Sequence, residues 1–140
     1  MMPGESIAKR FCGRVGDVNE LRDILFLDCQ TTGIRPGSSH LLEIAWAGAD
    51  GPVESRLLRL PEGVKLPKIV SEITGITAVE MEGAVDPADA LRDFRAAIAG
   101  RSIAVAHYAQ FEKPFLEAFL GDLPFRLLCS YRVARRLFPD

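Results

Sequence analysis

The most informative segment of the chain reads Phe26-Leu27-Asp28-Cys29-Gln30-Thr31-Thr32-Gly33 and extends an apolar run that begins at Ile24. A short apolar run closed by a turn signal predicts a strand buried on both faces, here ending at Asp28. An acid at the end of a buried strand costs free energy unless it is paired or binds a metal. Because positions 28 and 30 share one face of a strand, the side-chain oxygens of Asp28 and Gln30 are expected to project together, as a hard cation requires. An ordinary turn after a strand is the alternative interpretation of this segment alone.

Two more strands are predicted directly after this segment. Residues 41–49 form another apolar run, Asp50-Gly51 is a hairpin signal, and residues 53–60 alternate imperfectly between apolar and polar side chains. Three strands joined by short turns predict an antiparallel meander.

Helical patterns begin after the meander. Ile69 and Ile73 predict a short helix that ends near Gly75, and Thr77 with Glu80 has the capping-box signature of a second helix. These two short helices separate the meander from the rest of the chain.

The remaining sequence alternates between helix and strand. Asp86-Pro87 is an N-cap followed by proline at the first helical position, and Gly100 ends that helix. Buried strands are predicted at residues 103–106 and 125–129, and helices at residues 111–121 and 133–138. A meander followed by alternating helices and strands predicts an α/β fold with a mixed sheet flanked by helices.

Composition places the chain among globular proteins of one domain. It has 140 residues, 48% apolar and 26% charged side chains and a formal net charge of −2, which excludes the disordered and fibrous classes. No apolar run approaches the ~20 residues that span a bilayer, and no secretory signal pattern is present. We expect a cytoplasmic protein without a membrane partner, with an N-terminal arm at residues 1–21 and one domain at residues 22–140.

Cysteines and arginines give two weaker indications. Cys12, Cys29 and Cys129 are widely spaced and form no CxxC pair, so the sequence indicates neither a zinc site nor a disulfide framework. Reduced thiols fit a cytoplasmic protein. The segment from Arg126 to Arg136 is locally basic. It could contact phosphates or form a solvated helix face, and the sequence alone leaves both open.

A second segment that ends in an acid reads Val105-Ala106-His107-Tyr108-Ala109-Gln110-Phe111-Glu112. It places Glu112 early in the helix that follows a predicted buried strand. The field of a helix N-terminus favours an acid there, so a structural role and a metal-binding role both fit this segment taken alone.

Together, these segments resemble the DEDD family of 3′-to-5′ exonucleases, which includes the proofreading subunit of bacterial replicative polymerases (DNA polymerase III epsilon) and ribonuclease T. Residues 28–33 resemble the family's Asp-x-Glu-Thr-Thr-Gly motif, and residues 73–77 contain its Thr-Gly-Ile-Thr signature. Residues 107–112 resemble its His-Asn-Ala-x-Phe-Asp motif, and residues 129–139 the strand and helix that follow. The resemblance covers about residues 22–140 and implies a ribonuclease H-like fold.

The resemblance also implies a reaction, hydrolysis of phosphodiester bonds at nucleic-acid 3′ ends with two Mg²⁺ or Mn²⁺ ions. Asp28, Gln30 and Glu112 take the positions of the catalytic residues and metal ligands. The substrate-binding positions are occupied by Thr31, Thr32, His107, Tyr108 and Phe111. Single-stranded DNA or RNA 3′ ends are the implied partners.

The chain departs from the family pattern at several positions. Gln30 is neutral where the family has glutamate, Glu112 is one methylene longer than the family's aspartate, and Tyr108 replaces asparagine. An amide oxygen can bind a hard cation but adds no charge, and a displacement of about 1 Å can cost on the order of a hundredfold in rate. No histidine follows His107, so the family's third motif, with its general base and last ligand, is not found before Asp140.

These observations support a metal-dependent exonuclease-like domain whose site is impaired. The alternatives are an inactive domain of the same fold that binds nucleic-acid ends or a protein partner, and a scaffold that retains only the fold. We also expect the C-terminal helix of the fold to be missing from this chain. Residues near Leu127, Leu128 and Val133 would then need cover from a second copy of the chain or from a protein partner.

Overall fold

The computed structural model describes residues 19–139. Its strands are β1 (Ile24–Thr31), β2 (Leu41–Gly48), β3 (Glu54–Leu57), β4 (Ile103–Ala106) and β5 (Arg126–Cys129). They form one sheet in the order β3-β2-β1-β4-β5. The pairs β1–β2 and β2–β3 are antiparallel, whereas β1–β4 and β4–β5 are parallel. The predicted α/β fold, a meander extended by parallel strands, is confirmed. Most of the arm predicted at residues 1–21, and Cys12 with it, lies outside the described residues.

The helices connect the strands and follow local capping signals. They are α1 (Asn19–Arg22), α2 (Lys68–Thr74), α3 (Ala78–Met81), α4 (Pro87–Ile98), α5 (Ala109–Leu120) and α6 (Ser130–Leu137). The capping box predicted for α3 is present, with both Thr77–Glu80 contacts formed. Asp86 caps α4 by accepting a hydrogen bond of 2.8 Å from the backbone N–H of Ala88. These side chains satisfy backbone donors that the first helical turn leaves free.

Strand β1 is longer and more exposed than the sequence predicts. Its pairing with β2 continues past Asp28 to Gln30, which lies opposite Glu43. Phe26 is 47% exposed, so the prediction of a strand buried on both faces was wrong. The side chains of the other face are buried: Leu25, Leu27 and Cys29. A short apolar run does not reveal whether a helix covers one face of the sheet or both.

The main core lies between this buried face and helices α4 and α5. Phe94 of α4 is 0% exposed and packs 5.3 Å from Trp46, measured between ring centroids. Arg56 of β3 lies over the same Trp46 ring, 5.2 Å from its centroid, and its Nε donates a hydrogen bond of 3.0 Å to Asp93. The third strand is thereby fixed to α4.

A smaller core joins α2 to the meander. Its buried members are Leu42, Val70 and Ile76. The helix predicted near residues 69–75 is present, but its predicted apolar face is wrong because Ile69 is 60% and Ile73 is 77% exposed. Val70 is the residue of α2 that turns inward.

Strand β3 is shorter than the alternating pattern over residues 53–60 predicts. It ends at Leu57, and Leu58 instead forms a parallel bridge with Val85. The backbone N–H of Arg59 donates to the carbonyl of Val85 over 2.8 Å. The backbone N–H of Leu58 still donates to the carbonyl of Leu42 in β2 over 2.9 Å, and the segment before α4 pairs with the same stretch from its other side.

Candidate active site

Topology brings the two acidic segments to one edge of the sheet. Strands β1 and β4 are parallel, with Phe26 opposite Val105, so their carboxyl ends lie at the same edge. Asp28 is on β1, and Glu112 is in the first turns of α5, the helix that follows β4. Sites of open α/β sheets form at the carboxyl ends of parallel strands. This edge is therefore the candidate active site.

Asp28 and Gln30 lie on the same face of β1, as the two-residue spacing predicts. The Nε2 of Gln30 donates a hydrogen bond of 2.9 Å to Oδ2 of Asp28. The amide nitrogen is thus directed at the aspartate, and the amide oxygen is the atom of Gln30 that remains for another partner. In this arrangement Gln30 supplies Asp28 with a hydrogen-bond donor but no compensating charge.

Glu112 is the buried acid of the site, with 3% of its surface exposed. Burial, and next the negative charge of Asp28, raise the pKa of the Glu112 carboxyl to about 8, although the backbone N–H of Cys29 opposes the shift. Its Oε2 has no hydrogen-bond partner among the residues that the structure describes. A buried carboxylate oxygen without a partner is costly unless a proton or a cation meets it.

Glu43 is an acid of the site that sequence reasoning did not assign. It lies on β2 directly opposite Gln30, and paired residues of antiparallel strands project to the same face. The register between β1 and β2 decides this placement, and the sequence alone leaves the face of Glu43 open. Asp28, Gln30 and Glu43 therefore share one face of the sheet.

The predicted substrate residues Thr31, the last residue of β1, and Thr32, the first residue of the loop that follows, are both engaged in hydrogen bonds. The hydroxyl of Thr31 donates to the carbonyl of Gly33 over 2.7 Å. The hydroxyl of Thr32 accepts a hydrogen bond of 2.8 Å from the backbone N–H of His40. These bonds hold the loop against the start of β2, beside the carboxylates.

The predicted substrate residues of the second segment lie at the end of β4 and the start of α5. His107 and Tyr108 are exposed, and Nδ1 of His107 lies 3.0 Å from Oγ of Ser130. Phe111 is 36% exposed and packs on Phe115, with 5.4 Å between ring centroids. The structure thus brings these side chains to the same edge as Asp28 and Glu112.

The pKa values of the two cysteines near the site, Cys29 and Cys129, are shifted in opposite directions. Burial, followed by the charges of Glu112 and Asp28, raises the pKa of the Cys29 thiol. For Cys129 burial acts in the same direction, but backbone N–H groups, that of Arg132 foremost, outweigh it and lower the pKa of the thiol. The Cys29 thiol therefore ionises less readily than an ordinary cysteine, and the Cys129 thiol more readily.

The oxygen donors fit one hard cation. Asp28 and Glu112 offer carboxylates and Gln30 an amide oxygen, the ligand types that Mg²⁺ and Mn²⁺ prefer. The unpartnered Oε2 of Glu112 is the observation that supports the fit. Within residues 19–139 no three His, Cys, Asp or Glu side chains gather around one point where an ion could bind. The donors that the described residues offer here are therefore the carboxylates of Asp28 and Glu112 and the amide oxygen of Gln30.

Solved exonuclease structures share this architecture. The structure of exonuclease X in complex with 5′ overhanging duplex DNA has a TM-score of 0.63 and 24% identity, over 84% of this chain and 65% of that chain. Product-bound exonuclease I has a TM-score of 0.66 and 15% identity, over 80% of this chain and 30% of that chain. The metal-free complex of Escherichia coli exonuclease I with single-stranded DNA has a TM-score of 0.66 and 15% identity, over 80% of this chain and 29% of that chain.

The chain therefore has the ribonuclease H-like fold of these exonuclease structures, and it spans about 30% of the exonuclease I chain and 65% of the exonuclease X chain. No protein-family model and no curated protein sequence matches it. None of the helices in the described part of the chain has the length and apolar content needed to cross a membrane.

Proposed function

We propose that the chain is a metal-dependent 3′-to-5′ exonuclease-like domain that hydrolyses the 3′ ends of DNA or RNA. One observation supports the proposal above all others. The carboxyl groups of Asp28 and buried Glu112 lie together at the carboxyl edge of the sheet, and Oε2 of Glu112 has no hydrogen-bond partner among the described residues. The fold shared with solved exonucleases and the pair of carboxylates at this edge both fit metal-dependent hydrolysis of a phosphodiester bond. The similarity of the motifs to those of the epsilon subunit and of ribonuclease T supports the direction of hydrolysis.

Asp28, Gln30 and Glu112 would hold Mg²⁺ or Mn²⁺ in this proposal. A divalent ion supplies charge neutralisation at the phosphate and lowers the pKa of a bound water. Asp28, which is exposed, would face both the ion and the substrate, whereas Glu112 would hold the ion from the protein side. Glu43 lies close enough in register to add negative charge to the same face.

The remaining residues would place the 3′ end. Thr31 and Thr32 would lie along the terminal nucleotide, in a conformation that the hydrogen bonds of their hydroxyls to Gly33 and His40 fix in advance. His107, Tyr108 and Phe111, at the end of β4 and the start of α5, would contact the same nucleotide. We place this activity in the cytoplasm, where free thiols such as those of Cys29 and Cys129 persist.

A second function is favoured by the hydrogen bond between Gln30 and Asp28. An amide donor at 2.9 Å stabilises the Asp28 carboxylate in the absence of an ion. Glu112 can meanwhile remain uncharged, because its raised pKa of about 8 keeps the proton at neutral pH. A site in this state would bind nucleic-acid ends without cutting them.

The two functions are separated by a nuclease assay. The chain is incubated with 5′-labelled single-stranded DNA or RNA, in Mn²⁺ or in EDTA, beside Asp28→Asn and the control Asp50→Asn, which changes an exposed aspartate of the β2–β3 turn. Stepwise shortening from the 3′ end that disappears in EDTA and in Asp28→Asn, and persists in Asp50→Asn, supports the exonuclease. Retained binding without shortening supports the end-binding module. A chain that shows no binding and no shortening would contradict both functions.

A further inference from the structure

A cluster of aromatic rings lies at the carboxyl ends of β4 and β5, beside the carboxylates. The strands pair as far as Ala106 and Cys129, which lie opposite each other. The residues that follow, His107-Tyr108 and Ser130-Tyr131, therefore leave the sheet side by side. The contact of 3.0 Å between Nδ1 of His107 and Oγ of Ser130 ties the two segments together.

The rings of this cluster form an ordered stack. Tyr108 and Tyr131 are stacked, with centroids 4.3 Å apart and planes inclined by 22°. His107 stands edge-on to both, at 5.0 Å from Tyr108 and 5.6 Å from Tyr131. The guanidinium of Arg135 lies 5.9 Å from the centroid of Tyr131. Each ring is thus held by its neighbours before any ligand arrives, which reduces the entropy lost on binding.

Tyr108 ends the stack on the solvent side. It is 45% exposed and has a left-handed backbone, with φ 57° and ψ 49°. This conformation is uncommon for an aromatic residue, whereas asparagine tolerates it. The chain therefore keeps a large exposed ring at a position where a small polar residue would fit the backbone better.

Helix α6 adds positive charge next to the stack. Arg132, Arg135 and Arg136 are exposed, and Arg135 also contacts the Tyr131 ring. Aromatic faces combined with nearby cations are the features by which proteins hold unpaired nucleotides with little sequence preference, through base stacking and phosphate contacts. A paired base offers no free face except at the end of a duplex.

We propose that Tyr108 and Tyr131 form a stacking platform for an unpaired base of the strand whose 3′ end lies at Asp28 and Glu112, with Arg135 on its phosphates. The platform rests on the proposed function, because it takes the same strand as its ligand. It adds Tyr131 and Arg135 to the substrate-binding residues and assigns them an unpaired base and its phosphates. Binding of the strand to the platform should depend only weakly on which base is stacked.

Binding in EDTA tests the platform without cutting. Fluorescence anisotropy of a 5′-labelled single-stranded oligonucleotide, DNA in one arm and RNA in another, is measured for the chain and for Tyr108→Asn, Tyr131→Leu and Tyr108→Phe. Loss of one stacked base corresponds to about fivefold to a hundredfold weaker binding. We expect this loss for Tyr108→Asn and Tyr131→Leu, and near-normal binding for Tyr108→Phe, which keeps the ring.

Two controls separate binding from folding. Tyr108→Asn relieves the left-handed backbone, so its thermal unfolding temperature should equal or exceed that of the parent chain while its binding weakens. Phe138→Leu removes another exposed aromatic ring, 77% exposed at the far end of α6 and about 10 Å along the helix from Tyr131, and should bind normally. A covalently closed circular duplex, which has no ends and so offers no free base face, should bind equally to all variants.

The outcomes distinguish the platform from the proposed function. Normal single-strand binding by Tyr108→Asn and Tyr131→Leu, in a chain that shortens 3′ ends in Mn²⁺, overturns the platform and leaves the exonuclease intact. Weakened binding by both variants in a chain that cuts nothing supports the platform in an end-binding module. A parent chain that binds neither DNA nor RNA overturns the platform together with both proposed functions.

Discussion

At Gln30 the chain carries a neutral amide between two acids of the sheet, Asp28 on the same strand and Glu43 directly across on β2. Gln30→Glu would place a third carboxylate on this face. Carboxylate count sets the affinity of hard-cation sites, so Mn²⁺ should bind about tenfold more tightly or better, and in EDTA the variant should be less stable because the charges repel. Titration calorimetry and thermal unfolding measure the two effects.

A matched control for this change is Gln110→Glu. Gln110 is exposed in the first turn of α5 and off the sheet face, so the same charge change there should leave Mn²⁺ affinity within a factor of a few. Equal affinity gains in both variants would point to general electrostatic attraction and would remove Gln30 from the set of ligands.

Glu112 should make stability depend on pH. The folded chain keeps a proton up to about pH 8, whereas a carboxyl in the unfolded chain releases it near its ordinary value of 4.5. Between these values the unfolded state is favoured increasingly, so the free energy of unfolding should fall as pH rises, by at most about 1.4 kcal/mol per pH unit. Below and above this window the contribution of Glu112 is constant.

Glu112→Gln should remove this part of the pH dependence. Urea unfolding in EDTA across the window should show a shallower decline than the parent chain, with the variant more stable at the alkaline end. Glu117→Gln, an exposed position of the same helix, should follow the parent chain. An identical slope in Glu112→Gln and the parent chain would mean that Glu112 ionises normally in the folded protein.

Sequence alone predicted Asp28, Gln30 and Glu112 as candidate site residues but not their geometry, and it left Glu43 unassigned. Asp28 and Gln30 share a face because the strand period is two, and this required no knowledge of the fold. The burial of Glu112 and the position of Glu43 depend on how α5 and β2 meet β1, which only the tertiary structure determines. Tyr131 was missed for the same reason, since it reaches Tyr108 through the β4–β5 pairing.

At the scale of single elements, α4 depends on its N-cap. The Asp86 carboxylate accepts from the N–H of Ala88 at 2.8 Å, and Pro87 occupies the first helical position. Asp86→Ala should lower the free energy of unfolding by about 0.5–2 kcal/mol, and Asp86→Ser should recover most of it. Chemical denaturation measures both.

Asp89→Ala is the matched control for the cap. Asp89 lies in the same first turn but makes only an exposed ion pair with Arg92, at 2.9 Å. Exposed ion pairs contribute little to stability. Asp89→Ala should therefore lower the free energy of unfolding by less than Asp86→Ala does. If Asp89→Ala costs as much as Asp86→Ala, the helix field rather than the cap carries the stabilisation.

Elements with strong local signals were predicted best. The capping box of α3 and the cap of α4 lie within a few residues of sequence, and both are present. The predictions were wrong where tertiary contacts determine which face of an element is buried or where the element ends. The face that α2 buries is set by contact of Val70 with Leu42 and Ile76 in the smaller core, and the length of β1 is set by its pairing with β2.

At the scale of the whole molecule, an open cleft of about 780 Å³ lies between α5, β5 and α6. Val133, which lines it, is 50% exposed, and Leu137 on the same helix is 60% exposed. Acidic and basic side chains line the same cleft: Glu117, Asp122, Arg126, Arg132 and Arg136. A surface that carries both signs beside apolar groups can be complementary to its own copy about a two-fold axis.

We therefore expect the chain to self-associate through this cleft. Val133→Gln would place a polar group in the contact of each copy, so the dimer should dissociate at about tenfold higher concentration or more. Val79→Gln, at a valine of α3 that is 74% exposed, should not change the association. Sedimentation equilibrium over a range of concentrations measures both variants. A chain that stays monomeric throughout would contradict a second copy as the occupant of the cleft, and a dimer that Val133→Gln leaves unchanged would place the contact elsewhere.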